Sequence, residues 1–550
     1  MRKIVALLLA AMLAVPALAL AADTTEADLQ KQIQELTQEL KDLSTRVDKN
    51  ERHTALDRIE WSGDFRVKAD TLHYENLALD SFVSALSTDA FNQLFGLTGT
   101  PYALPSGGTV FGLIPTGQVL KYDQDNDVLY TTRLRLGMKA KVWDNVGFTG
   151  RLLMYKNWGD STGVKVLDGF GDVTMDGTDG GNTTGDWVRV ERAYFDWHDI
   201  GGTNFYLSIG RRPSTYGPPT QYRENEMRGG TPSGHLVDFN FDGITIGYHM
   251  QDLTGVEGQT LRFCFGQGYE SQLGNGTLSQ PHADTRDTNL GGFNFDALND
   301  GTNFLQFTLF EAIDMTDAFK GLAAVPSSFL PSDLNQAIFP NFNIVTRVKA
   351  TENIGNMTLG GVGFTREEMN GINWFVSVGW DRTDPNGHVS QSGFGGLLTD
   401  ATPVIKPVLD SNGNPTGDFT ITQTGKGSTD SKNGYSVYAG IQVPAPLGKF
   451  GLEYNYGSKY WFSFTQAQDD IVGSKLATRG HVGEAYYIFD INPNMFIKIG
   501  GIYYDYQYTG SGVPVGAPQK VSDVQDGKAF SMFPVADQVW DGYASLTVKF

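Results

Sequence analysis

From Trp61 to the C-terminal Phe550 the sequence keeps returning to a period of two, and that period decides what the chain can become. Trp61, Gly63, Phe65, Val67 and Ala69 alternate with Ser62, Asp64, Arg66, Lys68 and Asp70. Tyr130, Leu134, Leu136, Met138, Ala140 and Val142 share one face, while Thr131, Arg133, Arg135, Gly137, Lys139 and Lys141 share the other. After a short turn, Phe148, Gly150, Leu152 and Met154 continue the apolar face, with Thr149 and Arg151 opposite. Successive strand residues point to opposite sides, so each stretch has a greasy face and a charged one. A soluble sandwich also alternates. Here, however, the polar faces carry Arg and Lys, which suits a water-filled interior.

Two further features point the same way. Aromatics collect at strand ends: Trp61, Trp143, Phe195 with Trp197, Tyr454 with Tyr456, and Tyr503. That is the girdle expected where a barrel meets the membrane–water interfaces. Connections also alternate in length. Short ones fall at 143–146, 198–203, 298–302, 351–356, 444–448 and 490–494, and long ones at 74–127, 157–186, 312–341, 457–480 and 509–537. Strands are expected near 61–73, 128–142, 146–157, 187–197, 204–211, 237–249, 259–266, 289–296, 304–311, 342–351, 356–366, 372–381, 434–443, 448–457, 480–489, 495–508 and 538–550. Both chain ends belong on the same side, so the true number is even. Either one of these strands is false or one is missed within 387–424. The reading is all-β: a transmembrane antiparallel β-barrel of 16–18 strands over residues 58–550.

The N-terminus precedes this pattern with two different segments. Arg2 and Lys3, the apolar run 4–18 and Ala19-Leu20-Ala21 form a secretory signal peptide over residues 1–21. Residues 22–57 form a short coiled-coil helix. Leu29, Ile33, Leu36, Leu40, Leu43 and Val47 follow 4,3 spacing, with Leu29, Leu36 and Leu43 at d and Ile33, Leu40 and Val47 at a. So narrow a seam needs a partner, most simply copies of itself. The alternative is a helix lying on the barrel's own periplasmic rim. At the other end, Tyr543, Leu546, Val548 and Phe550 compose an alternating final strand closing on Phe, the form of signal used in outer-membrane assembly.

Composition removes other classes. With 42 Lys+Arg against 62 Asp+Glu the formal charge is −20, which argues against a nucleic-acid partner. One cysteine, Cys264, excludes a disulfide scaffold and CxxC sites. No cofactor and no metal is expected. Asp123, Asp125 and Asp127 open like a calcium loop, but Val128 and Leu134 stand where Gly and Glu are required. Asp168, Asp172, Asp176 and Asp179 read as a solvated acidic loop. GxSxG, GxxxxGK[ST] and HExxH are missing, and no Ser/His/acid spacing suggests an enzyme.

Three stretches carry a family resemblance: Gly210-Arg211-Arg212-Pro213-Ser214-Thr215-Tyr216-Gly217-Pro218-Pro219, residues 451–461 (Gly-Leu-Glu-Tyr-Asn-Tyr-Gly-Ser-Lys-Tyr-Trp), and Ala477-Thr478-Arg479-Gly480 before Glu484-Ala485-Tyr486-Tyr487. Together they resemble a poorly characterised family of outer-membrane porins, classified as a domain of unknown function. The layout is also similar to phosphate-selective-type porins, a likeness of architecture that implies a helical stalk, a 16-stranded barrel and a trimer. No residue match to phosphate-binding positions accompanies it.

The functional expectation is a passive outer-membrane channel for small hydrophilic solutes or ions. The pore-lining candidates are Arg66, Lys68, Arg133, Arg135, Lys139, Lys141 and Arg151, a basic stripe that would favour anions. Asp64, Asp70 and Glu453 face the same way and weaken that preference. The expected partners are outer-membrane lipid, further copies of the chain (a trimer first) and peptidoglycan. Other readings are the barrel of an electron-transfer conduit and an envelope tether. Loops 74–127 and 382–433, the longest, are the candidates to fold inward and set the bore. Arg211 and Arg212 either reach into the pore or latch loops together. Cys264 is expected to face the lumen with Arg262.

Overall fold

A computed structural model describes residues 36–41, 59–85, 112–159, 188–213, 222, 224–225, 231–238, 240–271, 285–317, 323–325, 344–346, 350, 352–369, 371–390, 395–400, 404–413, 415–422, 427–465, 470–531 and 533–550. The chain divides into a unit at Met1–Glu60 and a unit at Trp61–Phe550. In the first, residues 36–41 are α-helical, and Leu36 and Leu40 are exposed on it. Leu29, Ile33, Leu43 and Val47 lie outside the described residues, as does the 1–21 segment.

The second unit is a closed barrel of sixteen strands, each beside its chain neighbours. They are β1 (Ile59–Ala85), β2 (Gly112–Trp143), β3 (Val146–Asn157), β4 (Val188–Trp197), β5 (Phe205–Pro213), β6 (Asn240–His249), β7 (Thr260–Tyr269) and β8 (Thr288–Asn299). The circuit continues with β9 (Asn303–Thr316), β10 (Asn353–Arg366), β11 (Asn373–Pro385), β12 (Asn433–Ala445), β13 (Gly448–Gly457), β14 (Gly480–Asn492), β15 (Met495–Tyr506) and β16 (Gln538–Lys549). β1 and β16 close it antiparallel, in register from Asp64↔Lys549 to Glu75↔Gln538. Closure leaves no unpaired edge.

Each expected strand has its counterpart except 342–351. Residues 344–346 pair instead with Ala323–Val325 in a separate two-stranded sheet. The connection 351–356 is therefore not a short turn; it is the tail of a long one. The stretch 387–424 holds a hairpin, Val404–Leu409 with Pro415–Thr422, outside the barrel circuit. Isolated apolar runs look alike whether they join a large sheet or a local hairpin. Only a neighbouring strand with an open edge decides between them.

Turn chemistry marks the short-connection end. Asp300 Oδ1 accepts the amides of Thr302 (2.9 Å) and Asn303 (2.7 Å), and Asn492 Oδ1 accepts that of Asn494 (2.9 Å). At the same end the backbones of Gly63 and Phe550 exchange two hydrogen bonds, 2.7 and 2.9 Å. A Cβ on Gly63 would stand 2.8 Å from the Phe550 ring, so glycine is what lets the terminal aromatic sit there. Leu546 and Val548 face outward; Tyr543 is buried and donates to Glu484 at 2.5 Å.

The outward face is apolar around the circuit. Phe65, Phe205, Ile246, Phe263, Phe293, Phe307, Leu309, Val376, Val378, Ile441, Leu452 and Ile499 are all exposed. Aromatics cap this belt: Trp61, Trp143, Trp197 and Phe450 on the short-connection side, Tyr435, Tyr454 and Trp540 on the other. Lipid is the solvent that makes such a surface stable. β1 and β2, at 27 and 32 residues, exceed the roughly 9–11 that cross a bilayer, so their hairpin extends past the belt. The described parts of 74–127, residues 74–85 and 112–127, are thus strand.

Candidate functional site

The inward faces of the strands define a lumen, and the β5–β6 and β13–β14 connections enter it, sharing one buried cluster with Leu397 and Leu398 of the β11–β12 connection. The described parts of the β5–β6 connection are Tyr222, Glu224, Asn225 and residues 231–238. Tyr222 is buried, stacks on Phe375 with centroids 5.6 Å apart, and accepts Gln442 Nε2 at 2.8 Å through its carbonyl. Asn225 reaches the short-connection end, donating to Asp490 (2.7 Å) and accepting from Lys449 (2.8 Å). Residues 231–238 climb back: Ser233 bonds Thr308 at 2.6 Å and His235 Nδ1 meets Ser377 at 2.7 Å. Burial pushes the His235 imidazole down to about 3, so it is neutral there.

The β13–β14 connection enters beside it. Phe464–Thr465 pair in parallel with Val237–Asp238. Trp461, Phe464 and Leu476 are fully buried. Lys475 Nζ lies 2.5 Å from both Glu453 and Glu484 on β13 and β14. Arg479 donates to the carbonyls of Trp461, Thr509, Gly510 and Val513 at 2.8–3.0 Å, tying this connection to the β15–β16 one.

Room for both comes from glycines on adjacent inward faces. A Cβ on Gly361 would approach Leu236 to 2.5 Å, one on Gly363 would meet Pro232 at 2.3 Å, and one on Gly379 would meet Trp461 at 2.6 Å and His235 at 2.8 Å. Gly361 and Gly379 are cross-strand partners. These glycines are the signal in the sequence that marks where an insertion docks. Of the two long loops, 74–127 is strand at 74–85 and 112–127, with 86–111 outside the described residues, and 382–433 carries a hairpin at 404–422 while its Leu397 and Leu398 are buried in one cluster with Leu236 and Trp461.

The seven basic candidates share the inward-parity positions of β1–β3, and most are neutralised there. Arg66 donates to Tyr155 (2.9 Å) and lies 3.7 Å from Glu224. Lys68 pairs with Asp70 at 2.5 Å and stands 3.9 Å from Asp541. Arg133 reaches Asp64 (3.0 Å) and Glu224 (2.9 Å), and Arg135 reaches Asp64 (2.5 Å). Arg151 is held by both oxygens of Glu191, which a register shift between Arg151↔Arg192 and Leu152↔Val190 pushes out of the ladder. Lys139 and Lys141 are exposed toward the short-connection mouth, the latter 2.9 Å from Asp144.

The Arg211–Arg212 pair straddles the wall. Arg211 points outward to Asp242 at 2.9 Å, while Arg212 points inward to Ser208 and Thr245. Cys264 does face the lumen, accepting from Thr245 Oγ1 at 3.2 Å, next to Arg262, which pairs with Asp296. Asp123, Asp125 and Asp127 sit on a strand rather than a loop; Asp125 meets His73 and Asp123 accepts the Asn76 amide. Among the described residues no cluster of metal-ligating side chains occurs. Residues 160–187, with the other aspartates, lie outside them.

Over residues 123–550 the sequence matches a family described as a protein of unknown function, DUF3373. The chain belongs to that family. No curated protein matches this DUF3373 member. Among solved structures it is similar to Salmonella typhi OmpF in complex with daunomycin, at 10% identity and TM-score 0.36, covering 89% of this chain and 97% of that one. It is likewise similar to OmpT, an outer membrane protein of Vibrio cholerae in trimer form, at 8% identity and TM-score 0.37, covering 90% and 99%.

Proposed function

We propose that this DUF3373 protein is an outer-membrane channel that passes small hydrophilic solutes and ions. The observation that carries the reading is the reversed polarity of the closed barrel: an apolar, aromatic-capped exterior around an interior of charged and hydroxyl side chains. Water reaches the inward face of β2–β4 from the short-connection end, where Lys139 is exposed and the Arg135 and Arg151 side chains are 17 and 22% exposed. The ion pairs there reduce a strong anion preference to a weak one, resting chiefly on Lys139 and Lys141. Segments of the chain itself occupy the lumen, which speaks against a sheath around a cytochrome.

The signal peptide and the alternating C-terminal strand support export and outer-membrane assembly, with residues 22–57 in the periplasm. Exposure of Leu36 and Leu40 on one helix supports self-association through the heptad seam. The test is a planar-bilayer recording of the purified full-length protein with neutral sugars of graded size. Stepwise ohmic openings, blocked only by small sugars, and a reversal potential slightly toward anions are expected. Folded protein that inserts without conducting would overturn the channel.

A further inference from the structure

Glu224 occupies an unusual position for a connection residue. Its carboxylate enters a nest of guanidinium groups at the short-connection end of the lumen. Arg133 Nη2 is 2.9 Å from it, Arg66 Nη1 3.7 Å and Arg135 Nη2 3.9 Å. Lys549 Nζ lies 3.2 Å from the Glu224 carbonyl. Burial works to raise its carboxyl, but Arg133, Lys498, Arg66 and Arg135 outweigh it and hold the group well below the usual carboxylate range. Asp64 takes Arg133 and Arg135 from the wall side. Three guanidinium groups, Arg66, Arg133 and Arg135, therefore converge on two carboxylates, and only Asp64 is built into a strand.

We propose that this nest is a binding site for the carboxylate of a small solute, and that Glu224 is its built-in occupant. Three features make the occupant exchangeable. The Glu224 and Arg135 side chains are each 17% exposed, so one side of the nest reaches water, while Arg66 and Arg133 behind them are buried. Lys139 and Lys141 line its approach from the short-connection mouth. The neighbouring anchors of the tip, Asn225 to Asp490 and Lys449, are polar bonds that water can replace. A planar carboxylate fits guanidinium forks, and Glu224 takes one hydrogen bond from Arg133 with Arg66 and Arg135 at ion-pair distance. When a soluble one takes its place, the tip of the connection is released and the path beside β2 widens. The site thus couples occupancy to opening, a deepening of the channel reading on which its transport role rests.

The test uses full-length protein in detergent and succinate as the probe, against chloride at equal ionic strength. By titration calorimetry, Glu224→Gln is expected to bind succinate at least tenfold more tightly than the wild type, because the competitor is gone. Glu224→Asp keeps the charge and gains little. Adding Arg133→Gln to Glu224→Gln abolishes the gain. In the wild type, succinate and not chloride is expected to speed hydrogen exchange at the Gly234 and Leu236 amides, whose bonds to Thr231 and Ser233 carbonyls sit on the inserted stem. This second readout holds even if Glu224→Gln fails to fold. Unchanged affinity in a folded Glu224→Gln protein, or exchange indifferent to succinate, overturns the site. Binding without conductance would leave the site standing and sink the channel; conductance without binding does the reverse.

Discussion

Two charged anchors hold the two inserted segments, and they are built differently. Lys475 is sealed: its side chain and that of Glu453 are 2% exposed, and that of Glu484 0%. Around it pack Tyr438, Tyr543 and the cluster of Tyr222, Phe375 and Leu476. The Glu224 anchor is charge-rich and open on one side: Glu224 and Arg135 are each 17% exposed, while Arg66 and Arg133 are buried. A desolvated pair is strong chiefly because removing either partner strands the other without water. A wetted pair can trade one anion for another. The β13–β14 segment therefore behaves as a fixed part of the wall, and the tip of the β5–β6 segment as an exchangeable one.

The largest expected effect comes from breaking the sealed anchor. Lys475→Met leaves Glu453 and Glu484 facing each other in a dry site, and should cost about 3–5 kcal/mol. The check is the temperature at which the folded band disappears on unheated gels, together with a rise in single-channel conductance. If neither moves, the two anchors are not different in kind.

Next comes the glycine groove. Gly379→Leu drives a side chain into Trp461 and His235, where even a Cβ would stand closer than van der Waals contact. Overpacking of this kind costs about 1–3 kcal/mol. It should raise conductance without lowering the barrel's own heat resistance as far as Lys475→Met does. A variant indistinguishable from wild type would mean the segment is not seated on β11.

The smallest effect is the pH response of the β5–β6 stem. His235 is neutral when docked, at about 3, and regains its ordinary value near 6.5 when released. The released state therefore binds the extra proton between those values. Docking strength is full above pH ~6.5 and weakens as pH falls toward 3, by at most about 1.4 kcal/mol per pH unit. Glu224 has the carboxylate sign, so its contribution is present above its ordinary value and lost as pH falls below it. Conductance recorded from pH 7 to 4 should rise, and His235→Gln should flatten the upper part of that curve. A flat wild-type profile would place His235 outside the docked stem's energetics.

The faces of the strands were readable in advance because Arg66, Arg133 and Arg151 occupy inward positions by parity alone. What Arg133 does there was not readable. One of its partners, Glu224, is 91 residues away in a connection with no period, and the other, Asp64, is 69 residues away. Gly361, Gly363 and Gly379 stand as side-chain-free positions on the inward faces of two paired strands, but the alternation of faces did not single them out. Without the register, nothing showed that the first and last of them lie opposite each other.

By itself the sequence determined the barrel, its outward belt and the side on which each basic residue lies, because a two-residue period is a local property that survives any folding route. The tertiary structure alone decided the strand count, which connections enter and the pairing of the basic stripe. Those depend on which distant carboxylates and glycines meet once the cylinder closes, and charge neutralisation acts over a few ångströms of space, not over positions along the chain.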